Sequence, residues 1–361
     1  MTALALVLLA LWAGGMILED FYNRRALASF RHVIHVSGIR GKTGVCRILD
    51  AGLRKAGYRV FTKTTGSDAS YIDCGGTEHP IRRVSPANIG EQLKMIRRAY
   101  REHAEILVLE CMAVDPQLQY VLQHRIVQAD LCVITNVRYD HVLEMGESLN
   151  EIADSLAAIV PDKGVLFTAD QDYFPFFRSE CEKSGSECVL CTPDHCNENE
   201  AVARAVGRRL RIPEEYFSES SENYREDFGA RHLYSLGDRQ FVNLFSCNDP
   251  QSARLQLDRL LPGQKNFCFV YNHRSDRQDR LLLFAEYFFP QFPACKVVVT
   301  GDAHAAAARR LQRRGIAAES AKHWREAVAR LTDDSPVLVG LGNIKGEGTD
   351  MITALEDGEG R

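Results

Sequence analysis

The chain has 361 residues, 45% of them hydrophobic and 25% charged, enough for two domains with cores of their own and too ordinary a mixture for a disordered or fibrous protein. With 44 Lys and Arg against 48 Asp and Glu, the net charge of −4 argues against nucleic acid as a partner, and the Arg pairs Arg208-Arg209 and Arg313-Arg314 read as solvated helix faces. Eleven cysteines spread along so long a chain, several inside apolar runs such as Cys132 and Cys268, read as buried thiols of a reducing compartment.

Met1 to Leu18 carries no charge, about the minimum needed to cross a hydrocarbon core. A cleaved signal peptide would want a basic start and a buried soluble helix a polar face, and both are missing, so one membrane anchor over residues 1–20 is expected. Arg24, Arg25 and Arg31 follow the run and place the remaining chain on the cytoplasmic side by the positive-inside rule.

Next comes His32-Val33-Ile34-His35-Val36-Ser37-Gly38-Ile39-Arg40-Gly41-Lys42-Thr43-Gly44, a buried strand breaking into a glycine loop that opens a helix, with Val45, Ile48, Leu49 and Leu53 at helical spacing. Gly38 and Gly41 let backbone N–H groups turn onto an anion, Lys42 reaches outer phosphates and the Thr43 hydroxyl suits Mg²⁺, so a nucleoside triphosphate is expected here. The match is to the shorter form Gly-x-x-Gly-Lys-Thr, since Val36 stands where the full pattern has glycine.

Apolar runs alternate with helical patterns: Val33 to Val36, Ile106 to Leu109, Leu131 to Thr135 and Val165 to Thr168 predict a parallel sheet covered by helices. Polar residues just beyond such runs collect at the ligand edge of an open parallel sheet. Glu110 ends one run as a candidate metal carboxylate, against the plainer reading of a solvent-facing strand terminus. Asn136 and Asp140-His141 follow the next run, a metal or nucleotide group rather than a loop pair held by hydrogen bonds. Lys63-Thr64-Thr65-Gly66-Ser67-Asp68 follows the short stretch Tyr58 to Phe61 and offers an ammonium, hydroxyls and a glycine to a second anion; a polar turn is the alternative.

Cys188-Val-Leu-Cys191 with His195-Cys196 has zinc-type ligands but no second spaced pair, so a strand and loop with free thiols is the reading. Glu214 to Asp227, acidic and Ser-rich, reads as a linker or exposed loop. Phe241 to Phe245, Phe267 to Tyr271, Lys296 to Thr300 and Val337 to Leu341 then predict a second, smaller α/β domain, with helices near Leu281 to Phe288 and Ala303 to Leu311. No internal repeat is visible.

Ser37-Gly38-Ile39-Arg40-Gly41-Lys42-Thr43, Glu110 and Asn136-x-x-x-Asp140-His141 occur in an order that resembles the Mur ligase superfamily, which includes the peptidoglycan amino-acid ligases and folylpolyglutamate synthetase. The chain is most similar to the poly-γ-glutamate synthase ligase subunits of CapB/PgsB type. The likeness runs nearly end to end, through Lys63-Thr-Thr-Gly-x-Asp68, Asn88-Ile-Gly-Glu91, Glu110-Cys-Met-Ala-Val114, Met145-Gly146, Asn248-Asp249, Arg274-x-Asp276-Arg277-x-Asp279-Arg280 and Gly342-Asn-Ile344.

That resemblance implies an α/β chain: an N-terminal transmembrane helix, a P-loop parallel-sheet central domain over 30–228 and a smaller Rossmann-like C-terminal domain over 229–361. The implied chemistry is an ATP- and Mg²⁺-dependent ligase that activates a γ-carboxyl as acyl phosphate and joins glutamate units into poly-γ-glutamate. By resemblance, Gly38, Arg40, Gly41, Lys42, Thr43, Gly44, Asn136, Arg231 and Asn248 bind the nucleotide. Thr43, Glu110 and His141 hold metal. Lys63, Thr64, Thr65, Gly66, Arg274 and Arg277 face the substrate, and Lys42, Lys63, Asp140 and His141 act in catalysis.

Implied partners are glutamate, the growing polymer, the membrane and membrane subunits of CapC/PgsC and CapA/PgsA type, in a bacterial cell membrane with the catalytic domains in the cytoplasm; a homo-oligomer is compatible with this reading. No convincing candidate for the superfamily's carbamylated lysine is present, Lys183 lying in a polar stretch. The short segment before residue 31 leaves no space for a sugar-nucleotide domain, so a UDP-sugar peptide is not the expected acceptor. Two other readings stay open: a folylpolyglutamate-synthetase-like ligase and a membrane-tethered P-loop ATPase regulator.

Overall fold

The computed structural model describes residues 2–65, 69–83, 88–222, 233–237, 239–331 and 337–357. These form two compact units, Met1–Val137 with Glu144–Tyr224, and Arg138–Leu143 with Arg225–Arg361.

The first unit opens with helix α1 (Thr2–Leu27), whose stretch Leu4–Leu27 is long and apolar enough to cross a membrane and whose side chains from Leu4 to Tyr22 are almost all exposed. At 1.5 Å per residue the uncharged part, residues 2–18, spans about 26 Å, close to the ~30 Å hydrocarbon core. The last turns of α1 are docked: Asn23 is buried and its amide donates to the Ile126 carbonyl at 2.8 Å. After a short turn, strand β1 (His32–Ser37) runs to the glycine loop, and helix α2 (Lys42–Lys55) starts from it.

Around β1 lie β2 (Val60–Thr64), β3 (Ser70–Ile72), β4 (Glu78–Pro80), β5 (Ile106–Glu110), β6 (Leu131–Ile134), β7 (Val165–Thr168) and β8 (Glu187–Leu190). Their order in the sheet is β4-β3-β2-β5-β1-β6-β7-β8. The pairs from β2 to β8 are parallel, and the short β3 and β4 extend the edge antiparallel. The period of two divides β1 between the faces. Ile34 and Val36 pack under α2 with Val108, Val133 and Phe167, whereas His35 points the other way onto Gln123. Because β1 is central and its neighbours β5 and β6 come later in the chain, the loop after β1 opens between two strand tips, the position where open α/β sheets take ligands.

The structure changes two sequence expectations here. β2 runs to Thr64, so Lys63 and Thr64 are buried strand residues rather than a turn beyond the strand; pairing with β3 carries the strand one residue past its last partner on β5. The stretch read as linker contains a helix, Glu215–Glu222, because Phe217 is fully buried against Gly52 of α2 and Gly207 of the helix Glu198–Arg209. Residues 223–230 lie outside the described residues.

The second unit is a six-stranded sheet of β9 (Leu233–Leu236), β10 (Arg239–Asn243), β11 (Cys268–His273), β12 (Lys296–Gly301), β13 (Ala318–Ser320) and β14 (Val337–Gly342), in the order β13-β12-β11-β14-β10-β9. All its pairs are parallel except β9 with β10. Successive residues of β11 serve opposite cores: Phe269 and Tyr271 join the aromatic cluster of Phe284, Phe288, Phe289 and Phe292, while Cys268 and Val270 face Trp324 and Met351.

Candidate active site

The nucleotide candidates of the first unit converge at the tip of β1. The register pairs Val36 with Glu110 on one side and Ser37 with Ile134 on the other, so the loop emerges level with the ends of both neighbours. It is stitched to β6 by Thr135 N–H to the Ser37 carbonyl at 3.0 Å and Ile39 N–H to the Asn136 carbonyl at 3.2 Å. The Asn136 side chain clamps Arg40 from both directions, accepting from its N–H at 3.0 Å and donating to its carbonyl at 3.2 Å. That contact fixes the loop at Arg40. Behind it, the Asp170 carboxylate accepts from the Val137 and Tyr173 N–H groups and fixes the segment that follows β6.

Two glycines are dictated by sterics. Gly38 has φ +115° and a Cβ there would sit 2.1 Å from Thr135 Oγ1; Gly41 has φ +85° and a Cβ would sit 2.2 Å from Asn199 Oδ1. Gly44, on the first turn of α2, is held close by the same Asn199, whose Nδ2 would be 2.7 Å from an added Cβ. The Lys42 ammonium folds back on its own loop, donating to the carbonyls of Gly38 at 2.7 Å and Ile39 at 3.2 Å. An arriving phosphate offers it stronger, charged acceptors.

Glu110, 2% exposed at the end of β5, accepts from the Thr43 hydroxyl at 2.9 Å and from the Thr65 backbone N–H at 2.8 Å, both on Oε2. A hydroxyl and a carboxylate meeting beside a phosphate loop are hard oxygen donors of the kind Mg²⁺ or Mn²⁺ takes alongside water and phosphate oxygens, so Thr43 and Glu110 fit a divalent cation.

Lys63 is fully buried, its ammonium 2.8 Å from Glu91 and 3.5 Å from Met112 Sδ. Burial lowers its pKa, and the bond to Glu91 works against that fall. Glu91 also takes Arg83 at 2.7 Å. Burial would raise its carboxyl, yet the Arg83 and Lys63 bonds outweigh it and hold the pKa at about 2. Thr64, on the same strand, shares a 2.8 Å hydroxyl bond with Ser70. Gly66 and Asp68 lie outside the described residues.

The other candidates belong to the second unit. Asp140 is buried, accepts from its neighbour's N–H at 3.0 Å and lies 3.7 Å from the Arg280 guanidinium. His141 has φ +53° and its Nδ1 is 3.0 Å from an Arg277 nitrogen. Arg280 is held by Asn343, whose amide returns a bond to the Asn272 carbonyl at 3.1 Å, so the tips of β11 and β14 are tied to the basic cluster. Arg274 instead pairs with exposed Asp276 at 2.7 Å. Asn248 is half-buried next to Asp249, which caps the helix Pro250–Leu260 by accepting from Ser252 N–H at 2.7 Å. Arg231 lies outside the described residues.

Sequence reasoning missed Asn199 and Gln92. Asn199 sits in a stretch whose cysteines drew attention first; a second asparagine two residues after the helix-capping Asn197 was the available signal. Gln92, fully buried on helix α3 (Gly90–Arg101), donates to the Glu110 carbonyl at 3.0 Å; its signal was a polar residue on an otherwise apolar helix stripe.

Comparison with known proteins accords with this arrangement. Residues 36–229 match the Mur ligase middle domain, and residues 233–358 match the poly-γ-glutamate synthase CapB C-terminal domain. The capsule biosynthesis protein CapB of Bacillus anthracis is 30% identical over 368 positions, covering 93% of this chain and 79% of that one. The PGA synthase CapB of Bacillus subtilis is 28% identical, covering 94% of each. A bifunctional folylpolyglutamate synthase/dihydrofolate synthase, solved with Mn, AMPPNP and L-glutamate bound, shares the fold with a TM-score of 0.61 at 16% identity, covering 92% of both chains.

Fold and site together define a ligase of the Mur type, an enzyme that makes amide bonds using ATP and a divalent metal. Within that class the chain belongs to the poly-γ-glutamate synthase CapB family.

Proposed function

We propose that this protein joins glutamate units into poly-γ-glutamate by activating a γ-carboxyl with ATP. A carboxylate resists an amine because oxide would have to leave. Transfer of the γ-phosphoryl group forms a C–O–P bond and releases ADP; the amine then forms the C–N bond, phosphate leaves with the electron pair, and the amine's surplus proton goes to solvent.

The juxtaposition that carries this reading is Thr43 and Glu110 at 2.9 Å beside the Lys42 loop. Lys42 and the loop amides at Gly38, Arg40, Gly41 and Gly44 hold the β- and γ-phosphates, with Asn136 keeping Arg40 in place. Thr43 and Glu110 are assigned to Mg²⁺, which when bound neutralises charge between phosphoryl oxygens. His141 is assigned to a second metal, with Asn136 and Asp140 orienting the nucleotide and that metal site; Asn248 and Arg231 are assigned to the nucleotide, and Arg274 and Arg277 to the acyl-phosphate and substrate carboxylates. Lys63, clamped by Glu91, presents Thr64 and Thr65 to the acceptor; Gly66 completes that segment in this assignment.

Residues 30–228 serve as the ATP-binding central domain and 229–361 as the Rossmann-like ligase domain, and α1 holds both on the cytoplasmic side of the membrane, where subunits of CapC/PgsC and CapA/PgsA type receive the product. Membranes containing these partners should release ADP in response to glutamate, and Lys42→Ala and Glu110→Ala should each abolish the response. Wild-type turnover indifferent to glutamate would refute the ligase reading.

A further inference from the structure

The last turns of α1 and the C-terminal half of α3 flank an open cavity of about 520 Å³ lined by Tyr22, Arg25, Ala26, Arg97, Tyr100 and Arg101. This is the size of a small-ligand pocket, and it has no part in the chemistry above. Its depth follows from the chain. The uncharged run ends at Leu18, so Tyr22 and Arg25 lie roughly 6 and 10 Å further along the helix axis. The interfacial layer is about 5–7 Å thick on each side of the hydrocarbon core, which places Tyr22 within it and Arg25 at its outer edge.

The cavity is built rather than incidental. The buried Asn23 bond to Ile126 and the 2.6 Å pair of Arg97 with Glu19 fix α1 to the domain on both sides of it. Beyond the apolar run, Arg31 N–H donates to the Glu105 carbonyl at 2.7 Å and leads directly into β1. Its charge is one-sided: three arginines line it, their apolar stems forming most of the wall, and of the nearby carboxylates Glu19 pairs with Arg97 while Asp20 pairs with Arg24 outside the lining. Two half-exposed tyrosine rings complete the wall, and the apolar surface of α1 above it is bare.

Cations suit a phosphate, and aromatic walls opening onto a membrane-spanning surface suit a molecule with acyl chains; a soluble anion would use only the first. We propose that this cavity binds the headgroup of an anionic phospholipid, its phosphate held by Arg25 and Arg101 and its acyl chains lying along α1. The same helix α3 carries Glu91 and Gln92 at its other end, so lipid docking is one rigid helix away from Lys63 and Glu110.

The inference rests on α1 spanning the bilayer, and the test separates the two. The full-length chain is reconstituted in nanodiscs of phosphatidylcholine with one-fifth phosphatidylglycerol, and lipid retained after release is measured by native mass spectrometry. Wild type should retain phosphatidylglycerol over phosphatidylcholine. Arg25→Gln and Arg101→Gln should each weaken retention about fivefold, and the double variant roughly 30-fold. Arg31→Gln, whose guanidinium pairs with Glu105 instead, should match wild type. Millimolar glycerol 1-phosphate and oligo-γ-glutamate should displace nothing.

No lipid preference in the wild type, a double variant that retains phosphatidylglycerol unchanged, or displacement by either soluble anion overturns the proposal. Should the double variant not fold, as read by circular dichroism, the wild-type preference and the competitor arms decide alone. Release of the wild-type chain from membranes by alkaline carbonate refutes the spanning helix and the lipid site together; a retained chain indifferent to headgroup refutes the lipid site only.

Discussion

Replacing Glu91 by Gln is the perturbation whose size can be worked out most fully. Its carboxylate lies between Lys63 at 2.8 Å and Arg83 at 2.7 Å, with only 11% of the side chain exposed, so solvent screens the pair little. The fall of its pKa from 4.5 to about 2 corresponds to about 3 kcal/mol of stabilisation at neutral pH. Removing one partner of a buried pair costs a similar amount, roughly 3–5 kcal/mol, because Lys63 is left as an uncompensated buried cation. For a unit of about 200 residues this is a drop in Tm of roughly 6–20 °C.

The sign with pH follows. A carboxyl held low contributes fully above its unfolded value of 4.5, and the contribution drains away as pH falls toward 2. Thermal melting of detergent-solubilised wild type and Glu91→Gln should therefore differ by a constant amount from pH 7 to pH 5 and converge below 4.5. Equal melting at pH 7, or a gap that widens on acidification, would refute the reasoning.

Gly38→Ala puts a methyl 2.1 Å from Thr135 Oγ1 at φ +115°, and isothermal titration should show nucleotide binding lost with the fold retained by circular dichroism. Asn136→Ala leaves the Arg40 N–H and carbonyl without their clamp; at about 1–3 kcal/mol this should raise the KM for ATP roughly 5- to 150-fold in a coupled ADP assay. Phe217→Ala opens the space between Gly52 and Gly207 and should cost about 3–5 kcal/mol in urea unfolding, with any surviving folded protein retaining ATP affinity.

The parallel skeleton was legible because strands buried on both faces are written as unbroken apolar runs: 33–36, 106–109, 131–135 and 165–168 match β1, β5, β6 and β7 closely. So was the phosphate loop, whose glycines answer to two specific collisions. What escaped was written in tertiary contact. Lys63 looked like a turn residue because an ammonium is rarely buried, and only Glu91, 28 positions away, makes its place inside β2 tolerable. The edge strands β3 and β4 are three residues long and polar in part, too short for a periodic signal. The helix Glu215–Glu222 has an acidic, Ser-rich sequence, and one aromatic side chain docks it. Asn199 and Gln92 touch the loop and Glu110 from helices distant in sequence, a relation no local motif expresses.

The central claim is a γ-carboxyl activated as acyl phosphate by the ATP gripped between Lys42, Thr43 and Glu110. The most direct measurement supplies glutamate acceptor labelled with ¹⁸O in its γ-carboxyl to membranes containing the chain and analyses the released phosphate by mass spectrometry. The account expects one ¹⁸O in phosphate for each amide bond formed, and none with Lys42→Ala. Amide formation that leaves phosphate unlabelled would contradict it.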